Sequence, residues 1–231
     1  MEKYVGVTAD LYEQLVDSGK HILIAGMTGS GKSVLMNGMI NSIILRDRYK
    51  HSTVLCDVKM VEFGKYNNTK HCIRCATTPN EVEQTLQGTM QMIEERLLDM
   101  KERGIKQYDK TIVHLFIDEL ADLILTNRKT TELLQRICQI GRAAGVQVIC
   151  ATQCPLASVI PTKIKVNFPI LIGLHTATAQ HSRNILEVNG CEKLPMYGEA
   201  LVMYPTVGIK RETIPMIPEL EIDKIIEHDR R

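Results

Sequence analysis

Apolar positions fall into two kinds of run that alternate along the chain. Five short, nearly continuous stretches predict strands covered on both faces: HILIAG (21–26), STVLCDV (52–58), IVHLFID (112–118), VQVICAT (146–152) and FPILIGLH (168–175). A last pair, EALVMY (199–204) and VGIKRETI (207–214), is joined by a turn containing Pro205 and predicts an antiparallel hairpin. Between the strands the spacing changes to three and four. Val34, Leu35, Met39, Ile40, Ile43 and Ile44 form one apolar stripe, and Val82, Leu86, Met90, Ile93 and Leu97 form another. The second helix is expected over residues 80–103, with Thr78 or Asn80 as its cap and Gly104 as its stop. This alternation predicts an α/β fold: a mostly parallel central sheet flanked by helices, with antiparallel strands at the C-terminal end. Residues 1–20 read as a lead-in. The tail 216–231 is expected to form a helix with Leu220, Ile222, Ile225 and Ile226 on its apolar side. No repeat or low-complexity linker interrupts the pattern, so 1–231 reads as a single domain.

Composition narrows the function classes only slightly. The formal net charge is +1, so no global field marks a nucleic-acid or membrane partner, although a local patch repeated by symmetry would serve. No apolar run reaches a membrane-spanning length, and the first residues carry no signal-peptide core. Seven cysteines, an odd number scattered through strands and helices, predict reduced thiols and a cytoplasmic location. With no Trp and three Phe the core must be aliphatic, its gaps filled by Met.

Chemistry enters at Gly26-Met27-Thr28-Gly29-Ser30-Gly31-Lys32-Ser33, which fits G-x-x-x-x-G-K-[ST] between a strand and a helix. Glycines let backbone N–H groups turn toward phosphate oxygens, and the helix start adds its partial positive charge. The candidate nucleotide-binding set is Gly26, Thr28, Gly29, Ser30, Gly31, Lys32, Ser33 and Val34. Lys32 would reach the β- and γ-phosphates of ATP, and the Ser33 hydroxyl would ligate Mg²⁺. The run His114-Leu115-Phe116-Ile117 leads into Asp118-Glu119. A carboxylate at a buried strand end needs a partner, so Asp118 is expected at the Mg²⁺, through a water, and Glu119 as the general base for the attacking water. An acidic cap for the helix LADLIL is the competing reading, and both can hold. Gln153, ending the strand VQVICAT, could bond the attacking water or serve as a polar loop residue.

GMTGSGKSVLMNGMINSI, VLCDVKMVEFGKY, LFIDELADL, GRAAGVQVICATQ and RNIL, in that order, resemble the FtsK/SpoIIIE family of DNA-translocating ATPases, a HerA/FtsK-type P-loop motor class. The resemblance runs over about residues 9–204. It implies a RecA-like core, a hexameric ring of identical subunits and double-stranded DNA as partner. It also implies that Arg142 reaches the neighbouring subunit's nucleotide, whereas on its residues alone Arg142 reads as a surface arginine at a helix end. Asp57-Val58-Lys59 falls on the family's DPK run with Val58 in place of proline, Arg183 on its D-S-R-x-I-L run, and a strand is implied near 72–76. The family's upstream lysine falls at Ala179, and Cys154 stands where its ATQRP arginine would be. Relative to that family the chain reads as a minimal ATPase core.

The expectation is an ATP-hydrolysing motor that translocates double-stranded DNA in chromosome partitioning or mobile-element transfer. The alternatives are a coupling ATPase for secretion or conjugation and a nucleotide-gated assembly module with little turnover. The C-x-x-C of Cys72 and Cys75 lacks a second pair and reads as packing. His175 reads as a satisfied core histidine, Arg46, Arg48 and Lys50 as a solvated helix end, and Lys163 and Lys165 as a candidate pore or subunit-contact patch.

Overall fold

The computed structural model describes residues 10–153, 156, 160 and 162–230. Cys154, most of the PLASVIPT loop, the first nine residues of the lead-in and Arg231 lie outside them.

Eight strands form one sheet in the order β3-β2-β4-β5-β1-β6-β7-β8. They are β1 (Ile22–Ala25), β2 (His51–Cys56), β3 (Cys72–Ala76), β4 (Ile112–Ile117), β5 (Val146–Thr152), β6 (Ile170–Gly173), β7 (Glu199–Tyr204) and β8 (Gly208–Thr213). The first six are parallel, and β7 and β8 add on antiparallel. The expected strands are present but most are shorter, because their terminal residues turn into the loops of the site. β3 is the strand that the apolar pattern misses. It is a sheet edge, half-exposed over most of its length, and Arg74 interrupts its apolar run.

The remaining elements are α1 (Asp10–Asp17), α2 (Lys32–Ile44), α3 (Pro79–Arg103), α4 (Leu120–Thr126), α5 (Arg128–Ile140), α6 (Thr162–Lys165), α7 (Ala179–Leu186) and α8 (Glu219–Arg230). Alternate strand residues enter two cores. Ile22, Ile24, Leu55, Phe116 and Ile149 pack with α1, α2 and α8 on one face, and Leu23, Val54, Leu115, Val148 and Cys150 pack with α3, α5 and α7 on the other. Both faces are therefore covered, which is why the strands read as unbroken apolar runs.

α3 starts with a capping box: Thr78 accepts from Glu81 N–H while Glu81 accepts from Thr78 N–H. It stops at Gly104, whose φ of 67° suits glycine. α2 departs from the expected single stripe. It is buried almost all round beneath α1 and α8, and Val34 of the stripe is exposed. Part of its polar face is bonded internally, with the Tyr66 hydroxyl donating to Asn37 Oδ1 at 2.6 Å and accepting from Asn41 Nδ2 at 2.8 Å. The lead-in contains α1, whose Leu11, Tyr12, Leu15 and Val16 are buried against α2. In α8, Ile222, Ile225 and Ile226 are buried as expected, whereas Leu220 is 69% exposed in the first turn.

Candidate nucleotide site at the carboxyl edge of the sheet

Parallel pairing with matched register brings four strand ends to one edge. Ala25 of β1 lies opposite Thr152 of β5, and Ile117 of β4 lies between Cys150 of β5 and Cys56 of β2. The next residues of each strand, Gly26, Gln153, Asp118 and Asp57, therefore open onto a common crevice, where ligands of parallel α/β sheets bind.

The loop after β1 is held from both sides: Gly26 N–H donates to Thr152 O at 3.3 Å and Met27 N–H to His175 O at 3.0 Å. Gly29 and Gly31 take φ of 78° and 96°, a region a side chain would strain. A Cβ at Gly26 would lie 2.5 Å from Ser30 Oγ and 2.7 Å from Leu174 Cβ, so only glycine fits there. No side chain caps α2, so its first N–H groups are free to meet an anion. Ser30 Oγ is buried with no hydrogen-bond partner among the described residues. The Lys32 ammonium folds back onto Gly26 O at 2.8 Å and Met27 O at 2.9 Å, and burial lowers its pKa. Val34 lies one residue beyond, at the exposed start of the helix.

Across the crevice, Ser33 Oγ donates to Glu62 Oε1 at 2.6 Å. Glu62 belongs to a turn built by Asp57, which is fully buried and accepts from the N–H groups of Val61, Glu62 and Phe63 at 3.3, 2.8 and 2.8 Å. Burial pushes the Asp118 carboxyl up to about 6, helped by the charges of Glu62, Asp57 and Glu119. Glu119 caps α4, accepting from Ala121 N–H at 3.4 Å, and both its oxygens accept from Gln153 N–H at 3.2 Å. Lys59 lies 3.9 Å from Glu119 and 3.3 Å from Asp122. Gln153 Oε1 accepts from Thr28 Oγ1 at 2.7 Å, tying the β5 end to the phosphate loop. Lys32, Ser33, Asp118, Glu119 and Gln153 thus share one crevice, and the acidic cap falls on Glu119.

Ser33, Glu62 and Asp118 offer hard oxygen donors of the kind that suits Mg²⁺. Among the described residues no three His, Cys, Asp or Glu form a ready-made metal cage. Such an arrangement fits a cation carried in with the phosphates, since Mg²⁺ is commonly held by one or two protein oxygens and the substrate.

Arg142 is elsewhere. It is exposed in the turn between α5 and β5, at the amino end of a seven-residue strand whose carboxyl end carries Gln153. At about 3.3 Å per residue the strand separates Arg142 from its own crevice by roughly 20 Å. Arg183 binds Asn189 at 2.6 Å and Gln180 at 2.9 Å on the surface of α7. Lys165 donates to Asn184 O at 3.1 Å, which leaves Lys163 as the exposed lysine of that pair. The thiols of Cys72 and Cys75 are raised by burial, Cys72 to about 12, and both pack on the core as expected. Glu62 is the residue that spacing alone did not single out. Its signal, a Glu five positions after the strand-end Asp57, acquires meaning only when β2 is known to neighbour β4.

A phosphate loop feeding an uncapped helix, with an acidic strand end one strand removed, defines a P-loop ATPase fold. Comparison with known proteins sharpens the class. The FtsK/SpoIIIE family model matches residues 5–115. The DNA translocase FtsK of Leptospira interrogans is 35% identical over 91% of this chain and 24% of its own length. The DNA translocase SpoIIIE of Bacillus subtilis is 32% identical over 90% of this chain and 29% of its own. Among solved structures, the pCW3 conjugation coupling protein TcpA, in a monomer form with ATPγS, superposes with a TM-score of 0.78 at 23% identity, over 92% of this chain and 66% of that one. The chain belongs to the FtsK/SpoIIIE family. It spans about a quarter of the length of these curated translocases.

Proposed function

We propose that this chain is the ATP-hydrolysing core of a motor that moves double-stranded DNA, working as a ring of identical subunits, a hexamer by family resemblance. The supporting observation is the split of its machinery between opposite ends of the sheet: the crevice at the carboxyl ends and Arg142 at the amino end of β5. A subunit arranged in this way completes its neighbour's site rather than its own.

In this reading the N–H groups of Thr28, Gly29 and Gly31–Ser33 bind the phosphates at the first turn of α2, with Gly26, Ser30 and Val34 lining the loop. Lys32 exchanges the carbonyls of Gly26 and Met27 for the β- and γ-phosphate oxygens. Ser33 and Asp118 would hold Mg²⁺, with Glu62 accepting from Ser33. The cation, when bound, would supply charge neutralisation for the phosphates. Glu119 accepts the proton of the attacking water, and Gln153, bridging Glu119 and Thr28, orients that water and reports the γ-phosphate. Arg142 of the adjacent subunit stabilises charge on the transferring phosphoryl group. DNA as cargo is supported by the curated relatives' names. At a net charge of +1 the grip must be local, and exposed Lys163 is the candidate phosphate contact. We read 1–231 as one domain, because both cores share a single sheet, and as cytoplasmic. The cysteines among the described residues are free thiols, and no helix among those residues is long and apolar enough to cross a membrane.

ATP hydrolysis measured with and without linear duplex DNA tests this. The native chain should be stimulated by duplex, and Lys32→Ala should abolish turnover. A robust ATPase indifferent to duplex would remove DNA from the account and leave a motor for another cargo.

A further inference from the structure

The phosphate loop explains how a triphosphate is held but not what receives the base. We propose that Met196 and Tyr197, in the loop joining the turn at Cys191–Lys193 to β7, form the seat for the nucleobase. This rests on the nucleotide reading above.

Three observations carry it. The loop is fixed at both ends: Leu194 is buried and its N–H donates to Cys191 O at 3.3 Å, while Gly198 O accepts from Ile214 N–H at 2.9 Å. It is also registered to the phosphate loop through one residue. His175 accepts from Met27 N–H with its backbone oxygen at 3.0 Å, and its Nδ1–H donates to Leu194 O at 2.7 Å. Finally, the position where a Cβ at Gly29 would sit is 3.4 Å from Met196 Cε, so the end of the Met196 side chain lies beside the loop.

What the loop presents there is apolar and open. Tyr197 is 73% exposed and Met196 38%. Val34, at the start of α2 on the far side of the phosphate loop in sequence, is also exposed, at 41%. A polarisable thioether and a phenol ring suit the face of a purine, which stacks on aromatic side chains irrespective of its edge groups. Met196 and Val34 offer no hydrogen-bonding edge. The seat therefore takes purine nucleoside triphosphates by face and discriminates weakly between adenine and guanine.

Calorimetric binding of ATP and of inorganic tripolyphosphate, each with Mg²⁺, separates the two halves of the site. Tyr197→Ala should weaken ATP by about fivefold or more, in line with the cost of losing one base stack. Its tripolyphosphate affinity should be unchanged, and Tyr197→Phe should bind ATP as the native chain does. An unchanged ATP affinity in Tyr197→Ala, or equal losses for ATP and tripolyphosphate, overturns the seat. A native chain that binds neither compound overturns the nucleotide reading and the seat with it, whereas Lys32→Ala should lose both without bearing on Tyr197.

Discussion

Asp118 sits where the strand that carries it would rather have an uncharged group. Its carboxyl is held up to about 6 by burial first, and then by Glu62, Asp57 and Glu119, against an ordinary value near 3.8. Between those two values the folded chain binds more protons than the unfolded one, so this residue's contribution to stability falls as pH rises through that window. Asp118→Asn should therefore stabilise the nucleotide-free protein at pH 7 by about 1–2 kcal/mol, a figure discounted for partial solvent exposure. In urea unfolding the gain should fade toward pH 4; a variant equally or less stable at pH 7 would contradict it. The same substitution should impair hydrolysis, which is the pattern expected when a site keeps a destabilising charge for its chemistry. Lys32, Ser33, Asp118, Glu119 and Gln153 could each be picked out as candidates at this scale, because each follows a strand in a recognisable local context. Glu62 was not, since its partner Ser33 is twenty-nine residues away and meets it only through the fold.

Among the elements, α2 governs how the site is supported. It runs from the phosphate loop through the centre of one core, and α1 lies so close that a Cβ at Gly38 would fall 2.2 Å from the ring carbon Cζ of Tyr12. That ring cannot retreat, because its hydroxyl donates to Pro215 O. Gly38→Ala should destabilise the protein despite alanine's helix preference of about 1 kcal/mol, because overpacking a filled core costs about 1–3 kcal/mol. Urea midpoints compare the two directly; a stabilised variant would mean that α1 yields without cost. The signal for α1 was present in Leu11, Tyr12, Leu15 and Val16 at helical spacing, but eight residues form too short a pattern to stand on their own. Leu220 shows the converse. Two residues before Ile222, it falls on the side of α8 opposite the buried Ile222, Ile225 and Ile226, and it stays in solvent. β3 fails the pattern for a related reason, because an edge strand need not be apolar on both faces.

For the whole molecule, the sheet order decides the function. Strands β4, β5 and β1 stand side by side, so the acidic end, the Gln153 end and the phosphate loop converge, while the β5 strand carries Arg142 to the far edge. Periodicity could supply the strands but not their order, since parallel neighbours are joined through helices and are not adjacent in sequence. The ordered motifs shared with the family supplied what spacing could not. The central claim is that catalysis belongs to the junction between two subunits, and mixing inactive variants tests it most directly. Lys32→Ala subunits keep Arg142 but cannot hold nucleotide, and Arg142→Ala subunits hold nucleotide but cannot complete a neighbour. Each should be inactive alone with duplex DNA present, and an equal mixture should recover a substantial fraction of native ATP hydrolysis. A mixture as inactive as its components, or an Arg142→Ala chain that hydrolyses ATP at the native rate by itself, would contradict the account.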